Sequence, residues 1–475
     1  MQHADPNAKA RPGLDGPGFT LYTSRERIVL RMVTVLATLT YVVLLMTVYA
    51  VRVAPNYDYM GYVLEPAGPG FLLLGVLVAF LPSTVLPVHL HRPSGVALWM
   101  LYILAFIPSM VIPYLALPRD PTELLPLTLT LAVGFCIVLM LTRLPLLAIP
   151  RLKLPRWVFW LAFGTLGALL VNSIARTFGL TTSLPSLADV YVVRGEYKET
   201  EASLLARYAV TWIGNVIGPF LIGLGLLRRA PLLLTSGLAL QLLIYATTGF
   251  RSVLFSALLL AALFIAMAFQ RRYFGAILSV GAASLVTLTV VLDALFDTIV
   301  FSSLFVRRLL ATPGILTGWY YDFFVDRPKA LLGHSVLEPW IDYPYDRLPP
   351  LLIGRAYFGN EATYANANVW ADAFANFGLA GILAYSVLLG LLLWAFDYAA
   401  GQRDARTTTL AGLMLGVPAF TLTNTALNVS LVTHGVLLAW LVVYFMPRIA
   451  GRSRSPAHTP TLKSSSAHRA RGEKA

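Results

Sequence analysis

The sequence predicts an all-α, polytopic membrane protein: a helix bundle with about twelve transmembrane helices and two large external loops, the third and the fifth. Of its 475 residues, 57% are hydrophobic and only 12% are charged, and the mean hydropathy is +0.71. Soluble domains average about 45–50% apolar and about 25% charged residues. This composition excludes extensive disorder. The single cysteine, Cys136, excludes a disulfide scaffold.

Twelve segments are apolar enough to be helices that cross a bilayer, which takes about 20 residues. The seventh and eighth are separated by only three residues and predict a tight helical hairpin, and the eleventh is short and contains Pro418. The segments are 28–50, 69–88, 95–117, 124–142, 157–178, 208–227, 231–248, 252–270, 274–296, 367–396, 408–422 and 426–446.

Arginine and lysine residues fall on alternate connections between these segments. The positive-inside rule therefore predicts that both termini are cytoplasmic, and most of the +13 net charge is a topology signal that does not indicate nucleic-acid binding. We divide the chain into a cytoplasmic segment 1–27, a transmembrane domain 28–447 and a disordered tail 448–475. The cations are Arg92; Arg143, Arg151, Lys153 and Arg156; Arg228 and Arg229; Arg271 and Arg272; Arg403 and Arg406.

Two predicted external connections are long, at about 179–207 and 297–366. Their length indicates a function at the outer face of the membrane. In the first of them, Arg194 interrupts an apolar, aromatic run that should lie close to the bundle. Residues 196–207 could form a short helix on the membrane surface. The remaining charges of this loop are typical of a solvated segment.

The fifth external loop begins with SLFVRRLLATPGILTGWYYDFF, which has helical spacing and a predicted break at Pro313-Gly314. Its aromatic residues either anchor the chain at the membrane interface or stack on a sugar. They are Trp319, Tyr320, Tyr321, Phe323 and Phe324.

Two further positions are unusual for a membrane protein. Asn368, Asp372 and Asn376 form one polar stripe on a helix, predicted at the external end of the tenth span. A carboxylate there marks a functional site by default, or it makes an interhelical hydrogen bond. Arg251 occupies a tight turn, where its guanidinium either offers a bidentate fork to phosphate or carboxylate or extends to lipid headgroups.

Four segments follow one another in the order TGFRS, RRLLATPG…YYDFF, LLGHS and IGRAYFGNEATYANANVWADAFANFGLAG. Together with the predicted topology, they resemble the Wzy-type family of O-antigen and oligosaccharide repeat-unit polymerases. The resemblance covers roughly residues 170–390, and the first five spans add only general character.

The resemblance implies a metal-independent glycosyltransferase without a cofactor, in the bacterial cytoplasmic membrane. Such enzymes transfer a growing chain from undecaprenyl pyrophosphate to the next lipid-linked repeat unit on the outer face. The substrates are lipid-linked oligosaccharides in the bilayer, and a Wzx-type flippase and a chain-length regulator are possible partners.

The implied roles fall on three sets of residues. The candidate pyrophosphate clamps are Arg194, Arg251, Arg307 and Arg308, because arginine stays charged and binds phosphate bidentately. The candidate bases, in no fixed order, are Asp372, His334 and Glu361. The candidate sugar contacts are Tyr320, Tyr321, Tyr364, Asn366 and Asn368.

Two alternatives remain open at this point. An O-antigen ligase differs from a polymerase in its acceptor, and another lipid-linked-sugar glycosyltransferase is a related alternative. A transporter or flippase would favour internal repeats and polar groups at the midplane; we find no repeat, and the polar residues cluster at one face.

Overall fold

In the computed structural model, the described residues form helices and connecting segments without a β-strand. The structure describes residues 24–147, 152–180, 184–185, 189–335, 337–401 and 405–449. The predicted cytoplasmic segment up to residue 23 and the predicted tail from residue 450 lie outside the described residues.

The described part of the chain contains twenty α-helices. The first ten are α1 (Ser24–Val48), α2 (Ala54–Tyr57), α3 (Pro69–Phe80), α4 (Ser94–Leu101), α5 (Ile107–Val111), α6 (Pro113–Ala116), α7 (Leu125–Leu141), α8 (Arg156–Phe178), α9 (Val190–Glu199) and α10 (Leu204–Trp212). The others are α11 (Gly218–Arg228), α12 (Pro231–Thr248), α13 (Arg251–Gln270), α14 (Phe274–Leu295), α15 (Thr312–Phe324), α16 (Pro349–Phe358), α17 (Val369–Ala400), α18 (Ala405–Leu422), α19 (Leu427–Val432) and α20 (Val436–Phe445).

Shorter π-helical and 3₁₀-helical segments join several of these helices. The π-helical segments are Tyr49–Val53, Tyr102–Phe106, Ile213–Ile217 and Ser302–Ala311, and the 3₁₀ segments are Asp58–Met60, Leu81–Thr84, Pro121–Leu124 and Arg271–Tyr273. π-Helical segments are frequent at functional sites, and the longest lies in the predicted fifth external loop.

Nine helical stretches of the described residues are long and apolar enough to cross a membrane. The architecture is therefore that of a multi-pass helical membrane protein. The three other predicted spans correspond to shorter or less apolar helices, α3, α18 and the pair α19–α20, so the count of twelve stays a prediction. The nine are Ser24–Met60, Ser94–Ala116, Pro121–Leu141, Arg156–Phe178, Leu204–Arg228, Pro231–Thr248, Arg251–Ala268, Arg271–Leu295 and Val369–Ala400.

At one end of the bundle, two arginines contact neighbouring connections: Arg92, which is among the cations that predict the topology, and Arg31. Arg92 donates to the carbonyl oxygens of Thr142 and Leu144, both at 2.8 Å. Arg31, in α1, donates to those of Ser83 and Leu86, at 2.9 and 2.6 Å. These cations therefore also tie neighbouring connections together, because each satisfies carbonyl groups that helix ends leave open. The side of the membrane on which this end lies stays a prediction.

The first part of the predicted fifth external loop, residues 302–324, is a largely buried helix. The π-helical segment Ser302–Ala311 continues without interruption into α15, so the predicted break at Pro313-Gly314 is wrong. Gly314 lies where this helix approaches α5, and a Cβ atom at this position would collide with the Pro108 carbonyl oxygen. The small residue lets α15 pack closely against α5, as small residues do between membrane helices.

Helix α17 is two helices joined at Gly378, where φ is +65°. The first part, 369–377, folds back on the second, because Trp370 Nε1 donates to Ser386 Oγ at 3.0 Å. The predicted polar stripe therefore lies on a short buried helix before the turn and not on the spanning helix itself. This is a correction of the position predicted for Asp372.

Candidate functional site

The turn between α12 and α13, 249–251, holds one of the predicted phosphate ligands. Gly249 ends α12 at a φ of +63°, which favours glycine, and Arg251 begins α13. A Cβ atom on Gly249 would lie 2.9 Å from the Val190 carbonyl oxygen of α9. Glycine is therefore required for both the turn and the close packing of α9. The hairpin predicted for these segments is confirmed.

Arg194 of α9 lies against this turn. Its Nε donates to the Gly249 carbonyl oxygen at 3.1 Å, and its guanidinium carbon is 5.8 Å from the centroid of the Phe250 ring. The structure thus brings Arg194 beside the turn that carries Arg251, and we name these four residues, Arg194 and Gly249, Phe250 and Arg251, the arginine turn. The local helix is α9, so the helix predicted for residues 196–207 is wrong in its bounds.

Arg307 and Arg308 do not belong to the arginine turn. Arg307 is 5% exposed and lies 4.1 Å from the ring centroid of Tyr57 and 5.6 Å from that of Tyr62. Its Nη2 donates to Ser303 Oγ at 3.0 Å. Arg308 is exposed. The cation of Arg307 is therefore held by the aromatic faces of Tyr57 and Tyr62, an interaction worth about 2 kcal/mol when desolvated.

His334 follows a backbone segment with two unusual residues. Leu331 and Leu332 have φ angles of +48° and +60°, which is strained for branched side chains. Asn376 fixes the segment, because its carbonyl oxygen accepts from Leu331 N at 3.2 Å and its Oδ1 accepts from Leu332 N at 2.9 Å. Strain of this kind clusters at functional sites. We call residues 330–335 the histidine loop.

The imidazole of His334 is half-buried, and its ring centroid lies 5.3 Å from that of Tyr343. Burial lowers the pKa of this imidazole below its ordinary value of 6.5. Nδ1 is buried and has no hydrogen-bond partner among the described residues. The ring is therefore neutral at pH 7, which is the form that can accept a proton.

Asp372 lies on the short helix that holds the histidine loop. It is 7% exposed, and its Oδ2 accepts no hydrogen bond from the described residues. Asn376 Nδ2 donates to the Asp372 carbonyl oxygen at 2.9 Å, so two members of the predicted stripe contact each other. A buried carboxylate oxygen without a donor is costly, which marks Asp372 as a candidate functional group.

Asn368, a predicted sugar contact, is fully buried and caps this short helix. Its Oδ1 accepts from the backbone of Trp370 and Ala371, both at 3.0 Å. Its Nδ2 donates to Thr317 Oγ1 at 2.7 Å and to the Pro313 carbonyl oxygen at 3.1 Å. Asn368 has the geometry of an N-cap residue, and in this conformation its polar atoms contact protein groups.

The remaining predicted site residues differ in their burial. Tyr320 and Tyr321 are 1% and 3% exposed, and their hydroxyl groups donate to the backbone. Tyr364 and Asn366 are exposed and stay candidates for a saccharide. Glu361 is exposed and accepts a 2.8 Å ion pair from Arg347, which leaves it less suited to act as a base.

Sequence reasoning missed Tyr57 and Tyr62 beside Arg307 and the part that Asn376 plays in the histidine loop. The tyrosine contacts join segments far apart in the chain, and no local pattern indicates them. Asn376 was visible as part of the polar stripe, but its acceptor role depends on the chain turning at Gly378.

The structure forms two groups of predicted residues, the arginine turn and the histidine loop with Asp372. No hydrogen bond or ion pair among the described residues joins the two groups. Within the same residues, no set of three His, Cys, Asp or Glu side chains could hold a metal ion. Comparison with protein-family models, curated proteins and solved structures finds no match to this chain.

Proposed function

We propose that this protein is a membrane glycosyltransferase that polymerises lipid-pyrophosphate-linked oligosaccharide repeat units. The observation that carries the proposal is the arginine turn, in which Arg194 from one segment lies beside the turn that bears Arg251. Two guanidinium groups at one turn are suited to bind a pyrophosphate. The resemblance to the repeat-unit polymerases supports the same substrate class.

The reaction is a displacement at the anomeric carbon of the growing chain. The hydroxyl oxygen of the acceptor sugar forms the new bond to this carbon, the bond from the carbon to the pyrophosphate oxygen breaks, and polyprenyl pyrophosphate leaves. The leaving group gains negative charge as the bond breaks. Arg194 and Arg251 stabilise that charge, as preorganised donors do in other enzymes.

The proton of the acceptor hydroxyl is transferred to a base. His334 suits this role because its imidazole is neutral at pH 7 and partly exposed, so a saccharide can approach it. Asp372 is more deeply buried and holds the short helix to which the histidine loop is attached.

The proposal places the reaction on the outer face of the bacterial cytoplasmic membrane, with both termini cytoplasmic. Lys329 precedes the histidine loop, and a reporter fused there should read as extracytoplasmic. A flippase that supplies the lipid-linked repeat units and a regulator of chain length are the expected partners.

The test of function is the length of the surface glycan. In a bacterial strain that lacks this gene, the glycan should collapse to a single repeat unit on its carrier. Arg251→Ala should fail to restore chains at a normal protein level. Arg176→Ala is the matched control, because Arg176 is an exposed arginine near the end of α8. Long chains in the deletion strain would contradict the assignment, and normal chains with Arg251→Ala would contradict the clamp.

One observation favours a transporter as the second candidate. Helix α17 is broken at Gly378 near the buried Asp372, and broken helices with buried carboxylates form ion and substrate sites in transporters. A transporter would move its substrate into vesicles without changing its mass. A polymerase would produce longer chains without vesicle uptake.

A further inference from the structure

A cavity of about 440 Å³ lies beside the arginine turn, at the same end of α12. One of its walls is a single face of the α9 segment, since the residues recur at helical spacing. That wall consists of Asp189, Val193, Glu196, Tyr197 and Thr200.

The opposite wall connects the cavity to the arginine turn. Ala246 and Thr247, in the last turn of α12, line the cavity just before Gly249. Phe178, at the end of α8, closes another side. Arg194 lies on a neighbouring face of α9, so the cavity and the arginine turn share both α9 and the end of α12.

The lining combines two kinds of surface. Glu196 offers carboxylate oxygens. Thr247 offers a hydroxyl oxygen as an acceptor, since its hydroxyl group donates to the Leu243 carbonyl oxygen at 2.9 Å. The rings of Phe178 and Tyr197, whose centroids are 5.0 Å apart, form an apolar wall. A lining that combines polar groups with aromatic faces is suited to a polar small molecule.

This lining selects among ligand classes. The Glu196 carboxylate at the wall repels a phosphate inside the cavity, and a hydrocarbon chain there would desolvate this carboxylate without compensation. A ring that carries several hydroxyl groups satisfies both surfaces, because its hydroxyls donate to the Glu196 carboxylate and its C–H face packs on the aromatic wall.

We propose that this cavity binds the sugar that is bonded directly to the phosphate held at the arginine turn. The inference rests on the proposed function, which puts a pyrophosphate at Arg194 and Arg251. A sugar and the phosphate attached to it must be bound side by side. The shared use of α9 and α12 meets this requirement, with the cations outside the cavity and the carboxylates inside it.

The test compares two probes on the purified full-length protein in detergent: farnesyl pyrophosphate, and farnesyl pyrophosphate esterified with one hexose. The native protein should bind the glycosylated probe about tenfold more tightly, the scale of a hydrogen bond to a charged acceptor. The double variant Glu196→Gln, Thr247→Val should bind both probes equally. Glu199→Gln is the matched control, because Glu199 is exposed on α9 and does not line the cavity.

Retained binding of the bare probe by the double variant shows that the variant is folded. Equal binding of both probes by the native protein, or an unchanged sugar preference in the double variant, overturns the cavity assignment alone. Arg251→Ala should weaken binding of both probes by a similar factor. If it weakens neither, the phosphate site and the proposed function fail, whatever the sugar preference.

Discussion

Replacing Asn368 by alanine tests whether this residue supports the fold or contacts the substrate. The substitution removes the N-cap of the short helix 369–377 and leaves the buried amides of Trp370 and Ala371 without an acceptor. It also removes the donor to Thr317 Oγ1. Loss of a cap costs about 0.5–2 kcal/mol, and a buried group left unpaired costs about 1–3 kcal/mol. We expect the free energy of unfolding to fall by about 3 kcal/mol.

The assay is thermal unfolding of the purified protein in detergent. For a chain of this length the entropy of unfolding is about 1 kcal/mol/K, so the midpoint should fall by about 3 °C. Asn366→Ala is the matched control, since Asn366 is exposed and its free energy of unfolding should change by less than about 0.5 kcal/mol. A variant at Asn368 that unfolds like the native protein but does not polymerise would refute the capping role and indicate a sugar contact.

Three further outcomes are expected. Gly314→Ala should lower the free energy of unfolding by about 1–3 kcal/mol, because the new Cβ atom meets the Pro108 carbonyl oxygen. Asp397→Ala should lower it by about 1–2 kcal/mol, because the carboxylate accepts from Ser94 N and Oγ at 2.8 and 2.7 Å. Burial lowers the pKa of His334 below its ordinary value, so the polymerisation rate should fall as the pH drops, with its midpoint at a lower pH than a free imidazole would give.

The sign of the pH effect follows from which form of His334 is active. The base must be neutral, so activity is present above the folded-state pKa and is lost as the pH falls through it. His334→Gln should abolish activity at every pH. A variant in which the rate still falls at the same acidic pH would exclude His334 as the base.

For the variant Gly314→Ala, the control is Gly164→Ala, where a Cβ atom meets no neighbouring atom within 4 Å. Equal destabilisation at both glycines would contradict the packing argument.

The hydrophobic pattern predicted the helical, membrane-embedded architecture because apolar length is a local property of the chain. It also predicted the hairpin at Gly249 and the approach of Arg194 to the bundle, since a cation within an apolar run has few places to lie. The boundaries of α9 were harder to predict from the sequence, because its charged residues are compatible with helices that begin and end at different positions.

Tertiary packing determined the features that the sequence did not predict. Proline and glycine at positions 313 and 314 predicted a break, yet the helix continues through them, and Gly314 lets it pack closely against α5. The turn at Gly378 reverses the chain and buries Asp372 on a short helix, and a continuous apolar run gives no sign of such a reversal. Arg307 lies on Tyr57 through a contact between distant segments.

The most direct test of the central claim is chain extension by the purified protein in liposomes that contain lipid-linked repeat units as the only sugar source. We predict products longer than one repeat unit from the native protein and from Arg176→Ala, and only single repeat units from Arg251→Ala. Products of equal length from the native protein and Arg251→Ala, or no extension by folded native protein, would contradict the account.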